Sequence, residues 1–383
     1  MNGVQRRWPV VILFAALLLL SSGCSLLGGR QAAQSTFGAG DAIRIALPGP
    51  IAYITELSDF ARGVEMALDE VNAAGVLGRR LEAVVLDDAG SFIEGTALAQ
   101  RLAADPRVAA IVGHWHSHVT LPAATIYDDA GKLMLSPVVS NVSLTRRGYE
   151  RVFQNIPGDD EVGRQMAYFA RDRGYRRIVL LYADSPYGRG LADAFEDAAD
   201  QGGLVIVDRR HGFTEEIEVV RTARLWRALE YDAIFVAYGM PEGGQLIAAL
   251  RRAGVDVPIL GGDGLDFGFI ETLGPHAEGV VIASIVDPDD ARPELQAFRA
   301  KFRERYAKEP DVWGIQGYDS IKLLAHAFTL AGTTDPAAVA EVLHAMEGWN
   351  GVLGRISFNE RGEVQGIRVR QKVVRDGRFE YLK

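Results

Sequence analysis

The sequence predicts an α/β protein built of two Rossmann-like lobes, each with a parallel central sheet. Three observations carry this prediction. Short apolar runs alternate with longer amphipathic stretches from Ala42 onward, and strand–helix–strand repetition of this kind builds parallel sheets with helices on both faces. The 383 residues suffice for two compact lobes. A polar segment at residues 155–160, with Pro157-Gly158 inside it, divides two similar sets of alternating elements.

Strands are expected at 43–47, 81–86, 108–112, 132–135, 178–182, 204–207, 233–237, 258–260 and 279–282. Between the first two, Phe60, Val64, Ala67, Leu68 and Val71 recur at helical spacing, and later strands are followed by similar patterns. A second break at 287–293 suggests another passage between lobes. The expected division is therefore 42–158 with 287–355 in the first lobe and 159–286 with 356–383 in the second. In open parallel sheets the loops beyond the carboxyl ends of strands carry ligands. That rule selects residues 49–53, 113–120, 136–141, 183–188, 238–242 and 262–266.

Composition narrows the function classes. With 48% hydrophobic and 24% charged residues the chain is ordinary globular protein, neither disordered nor fibrous. Its net charge of −9 and lack of a basic stripe exclude nucleic acid as a partner. The first 24 residues read as an export signal: Arg6 and Arg7, an apolar run over 10–20, then Ser21-Ser22-Gly23 before Cys24. The apolar run is shorter than the roughly 20 residues that span a bilayer. Cys24 is the only cysteine, so no intrachain disulfide exists. Leu20-Ser21-Ser22-Gly23-Cys24 resembles a bacterial lipobox, with Ser21 where leucine is usual. That resemblance implies a lipidated Cys24 tethering the protein to a membrane, with 25–41 as a flexible tether. No nucleophile elbow, His-Glu-x-x-His, phosphate loop or dinucleotide fingerprint occurs, so neither an enzyme nor a cofactor is expected.

The motifs carry a family likeness. Gly49-Pro50, Asp69-Glu70-Val71-Asn72-Ala73-Ala74-Gly75, Leu77-Gly78-Arg79, Asp87-Asp88, Ser136-Pro137, Tyr187-Gly188, Pro241-Glu242, Gly261-Gly262-Asp263-Gly264 and Gly317-Tyr318-Asp319 run in order along the chain. Together they resemble the branched-chain amino-acid binding proteins, periplasmic binding folds of type I that serve membrane transporters. The resemblance implies two lobes joined by three crossings and closing on a small ligand about a hinge. It also implies permease subunits of an ABC transporter as partners. A ligand-sensing or regulatory lipoprotein for amides or small carboxylates would use the same fold. The strand-like ending over 369–374 and 379–382, with no output segment, points instead to delivery to a transporter.

By the same resemblance, Ser117 and Ser140 hold the ligand carboxylate, the backbone of Val138 contacts its amino group, and Asp263 holds the ammonium. Tyr187 closes from the second lobe and Trp313 walls the side-chain pocket. Each has an ordinary alternative: Ser117 as a helix N-cap, Asp263 as an Asx turn between glycines, Tyr187 as a loop aromatic and Trp313 as core. Where the family often has a second-lobe tyrosine, this chain has Gly239, with Tyr238 one position earlier. Asp263 is one methylene shorter than the family's glutamate. The segment His114-Trp115-His116-Ser117-His118 has three readings. Alternate histidines on an extended strand suit a metal ion; His and Trp can line the cleft against an aromatic or amide ligand; or the imidazoles are structural. Lining by Trp115 and its neighbours is the reading adopted, with no metal assigned.

Overall fold

A computed structural model describes residues 41–213, 216–287 and 289–382. The export signal, Cys24 and the tether up to residue 40 lie outside the described residues. The first sheet takes β1 (Ile43–Gly49), β2 (Leu81–Asp87), β3 (Val108–Val112), β4 (Met134–Ser136) and β5 (Val152–Gln154), all parallel in the order β2-β1-β3-β4-β5. Every residue of β1 is buried, because helices cover both faces. These are α1 (Phe60–Ala74), α2 (Phe92–Ala104) and α3 (Ser117–Asp129).

The chain then passes into a second lobe through α4 (Asp159–Asp172). There β6 (Arg177–Tyr182), β7 (Val205–His211), β8 (Ala233–Ala237), β9 (Ile259–Gly261) and β10 (Val281–Ser284) pair in parallel. They alternate with α5 (Pro186–Gln201), α6 (Glu216–Trp226), α7 (Glu242–Arg252) and the short α8 (Phe269–Leu273). The chain returns to the first lobe with α9 (Pro293–Tyr306), α10 (Val312–Ala331) and α11 (Pro336–Ala345). A small antiparallel sheet follows, of β11 (Trp349–Asn350), β12 (Arg355–Phe358) and β13 (Val364–Gln365). Finally β14 (Arg370–Arg375) and β15 (Arg378–Tyr381) join the second sheet antiparallel, giving the order β15-β14-β10-β9-β8-β6-β7.

The chain thus crosses between lobes three times, after β5, between β10 and α9, and before β14. The last crossing differs from the expected division at residue 356. Ile356, Phe358 and Val364 pack in one core with Leu135 and Phe153 of the first sheet. The Gln154 N–H donates to the Gly362 carbonyl at 2.8 Å, which ties the small sheet to β5. Strand β5 was not anticipated, and β4 lies one to two residues later than expected.

Two helices fix the first lobe's framework. On α1, Phe60, Gly63, Val64, Ala67 and Val71 form the buried stripe, and it meets the almost wholly buried α10. The crossing is close enough that a Cβ built on Gly63 would lie 1.8 Å from the Gly314 carbonyl oxygen. Gly317 approaches the Phe60 carbonyl in the same way, at 2.4 Å. This contact sets the position of the amino end of α10, and with it Trp313.

Candidate functional site

The carboxyl ends of β1, β3 and β4 face those of β6, β8 and β9 across a cavity of about 310 Å³. The first lobe contributes Tyr53, Trp115, His116, Ser117, Val138, Ser140 and Trp313; the second contributes Tyr187, Gly239, Met240, Glu242, Asp263 and Phe267. Two hydrogen bonds bridge the lobes beside it. Asn141 Nδ2 donates to the Pro186 carbonyl at 2.7 Å, and the Tyr53 hydroxyl donates to the Met240 carbonyl at 3.4 Å.

Helix α3 supplies donors. Its N-cap is His116, whose carbonyl accepts from the N–H groups of Val119 and Thr120, both at 2.9 Å. Ser117 is therefore the first helical residue and not the cap. Its hydroxyl and its N–H have no partner among the described residues, although the residue is buried and lines the cavity. A helix start with free N–H groups and an unspent hydroxyl attracts a carboxylate. Ser140, on the loop after β4, adds a second buried hydroxyl, while its carbonyl is occupied by the Asp159 N–H at 2.8 Å.

The opposite wall is acidic. Asp263 follows β9, is 5% exposed and accepts from the Tyr187 hydroxyl at 3.0 Å; that hydroxyl in turn accepts from the Gly264 N–H at 2.9 Å. Burial pushes the Asp263 carboxyl up to about 6, and burial also raises the Tyr187 phenol. Behind Ser140 sits a second acid, Asp159, at the start of α4. The Ser140 hydroxyl stands beside it, yet neither carboxyl oxygen has a hydrogen bond of good geometry. Burial above all, with Asp263 nearby, holds its carboxyl well above the usual carboxylate range. No lysine or arginine lines the cavity. Hydroxyl and N–H donors on one wall and a buried carboxyl on the other make a pocket for a small molecule with both charges.

The periplasmic binding protein family pattern matches residues 45–369. This chain belongs to that family. Specifically, it is a periplasmic binding protein of type I in the branched-chain amino-acid group. An ABC transporter substrate-binding protein from Desulfitobacterium hafniense, solved in complex with Leu, is 37% identical with a TM-score of 0.81; the alignment covers 89% of this chain and all of that one. A leucine-binding protein from Thermotoga maritima superposes at a TM-score of 0.82 with 27% identity, covering 89% and 98%. The leucine-, isoleucine-, valine-, threonine- and alanine-binding protein of Pseudomonas aeruginosa is 28% identical over 335 residues, 86% of this chain and 89% of that protein. Members of the family are solute-binding proteins and not enzymes. Among the described residues no helix is long and apolar enough to cross a membrane.

In this binding protein the structure brings Trp115, Ser117, Val138, Ser140, Tyr187, Asp263 and Trp313 to one cavity. It does not bring Tyr238 there. Successive residues at a strand end point to opposite faces, so Gly239 faces the cavity while Tyr238 turns into the second-lobe core. The three histidines also part company. His114 is fully buried, with Nδ1 2.7 Å from Asp88 Oδ2 and Nε2 3.0 Å from the Tyr127 hydroxyl. His118 Nε2 lies 3.0 Å from the Gly90 carbonyl, and Asp88 accepts the Gly90 N–H at 2.8 Å. These bonds brace the start of α3 and take His114 out of the ligand space, which His116 and His118 line. Sequence reasoning missed Phe267 and Asp159, and held Tyr53 only as part of the 49–53 loop without singling it out. For Asp159 the available signal was an acid at the first turn of a helix directly after Pro157-Gly158, a position that reads as ordinary helix-dipole compensation.

Proposed function

We propose that this protein is the extracytoplasmic receptor of an ABC importer, capturing an amino acid, branched-chain or related, between its two lobes. One observation carries the reading: the partnerless donors of Ser117 and its helix start lie across a single cavity from the buried Asp263 carboxyl. Opposed in this way, they match the carboxylate and ammonium of a zwitterion. Ser140 extends the carboxylate side and the Val138 backbone the ammonium side, while Tyr187 closes from the second lobe with Asp263. The amino acids bound by the Pseudomonas and Desulfitobacterium relatives share this zwitterionic head. Lipidation of Cys24 would hold the receptor at the membrane beside its permease.

Calorimetry of the full chain in mild detergent against the common amino acids tests this at two pH values. The expected result is one-to-one binding that needs both the free amino and the free carboxyl group. Asp263, held near 6 in the empty cleft, must be ionised to pair with an ammonium that stays charged throughout. Affinity should therefore rise from pH 5 to pH 7.5 by about tenfold and then level off. Failure of every amino acid to bind would refute the reading.

A further inference from the structure

The part of the cavity left over after the zwitterion is walled by rings. Trp115 contacts Tyr53 and Trp313 at centroid separations of 5.6 and 5.4 Å, and Phe267 touches all three at 6.1–6.4 Å. His116 extends the wall, edge-on to Tyr53 at 5.2 Å and stacked on His118 at 5.6 Å. Branched aliphatic groups are few: Val138 and Val139 are the branched aliphatic residues lining the space, joined by the unbranched Met240.

This wall has unspent polar edges. The His116 imidazole has no hydrogen-bond partner among the described residues, and burial, aided by His118, brings it down to about 4, so it is neutral at pH 7. A neutral imidazole offers one N–H donor and one lone pair. The Trp313 Nε1–H in the same wall is buried and unpartnered too. A leucine-like side chain would cover these groups without bonding them, which is unfavourable. Space is also available opposite: a Cβ built on Gly239 would meet nothing closer than the Gly264 carbonyl at 4.0 Å.

We propose that the captured side chain is an aromatic ring with a hydrogen-bonding edge, as in tyrosine, tryptophan or histidine, and that His116 selects it. The ring stacks within the aromatic wall and its polar edge meets the His116 imidazole. This inference rests on the amino-acid reading above and specifies its side chain.

The test is calorimetry of the full chain with L-tyrosine, L-tryptophan, L-histidine, L-phenylalanine and L-leucine. At least one of the first three should bind about tenfold tighter than both phenylalanine and leucine. In His116→Phe, which keeps a ring in the wall, that ligand and phenylalanine should converge to within about twofold, with phenylalanine itself little changed. His116→Gln, which restores a donor and an acceptor, should recover part of the preference. Leucine binding as tightly as all three polar aromatics, or a preference that persists in His116→Phe, would overturn this inference alone. If none of the common amino acids bound, the underlying reading would fall with it.

Discussion

Replacing Asp263 with Ala is expected to abolish most amino-acid affinity while leaving the empty protein at least as stable as before. The carboxyl is the only buried acid in the cavity lining, and an ammonium enclosed without it is a desolvated, unpaired charge. Truncating one partner of a buried charge pair costs about 2–5 kcal/mol, thirtyfold to several thousandfold in affinity. Stability behaves differently because Asp263 is itself poorly placed when the cleft is empty. It is buried, it has the Tyr187 hydroxyl as its side-chain partner, and burial first and the neighbouring Asp266 second disfavour its ionisation. Removing it relieves that cost, and Tyr187 keeps its bond from the Gly264 N–H. Asp263→Asn separates charge from shape: it should retain the Tyr187 contact and still lose affinity. Calorimetry paired with thermal unfolding reads both effects in the same samples.

Gly63→Ala is expected to act in the opposite sense, on stability before binding. Its new methyl would lie 1.8 Å from the Gly314 carbonyl oxygen and 3.0 Å from the Tyr318 amide nitrogen, both main-chain atoms of α10 that cannot swing aside. Overpacking of this kind costs about 1–3 kcal/mol. The helices must separate, and Trp313, one residue before Gly314, moves with them, so weaker ligand binding follows. Gly239→Ala is the matched control. It adds the same methyl where the nearest atom is 4.0 Å away, so urea unfolding should be nearly unchanged.

The legible parts of this fold are those whose signal is local. The buried strand β8 is a continuous apolar run, β1 is apolar but for Arg44, and α1 displays its core stripe at helical spacing. Strands β5, β11 and β13, of two or three residues each, are too short to show a period. The misplaced lobe boundary has a similar cause. Residues 356–364 belong to the first lobe through contacts with Leu135 and Phe153, more than 200 positions earlier, and nothing in their own composition records it.

The site divides along the same line. Ser117, Ser140 and Asp263 stand at strand ends, where a parallel sheet presents ligands, and ordered motifs surround them. Tyr53 and Phe267 reach the cavity from loops on different lobes and only the closed arrangement joins them. Tyr238 and Gly239 exchanged roles because one residue of strand phase decides which side chain faces the cleft. In the His114-Trp115-His116 run, even spacing offered convergence on a metal, a reading not adopted. Entry into α3 at Ser117 ends the alternation, and Asp88 and Tyr127 claim His114 for the interior.

A crystal structure of the protein grown with its tightest-binding amino acid tests the central claim most directly. The account predicts one ligand between the lobes, its carboxylate within hydrogen-bonding distance of the Ser117 hydroxyl and the first N–H groups of α3, and its ammonium on Asp263. A ligand seated with the reverse polarity, or outside the cavity shared by Ser117 and Asp263, would contradict it.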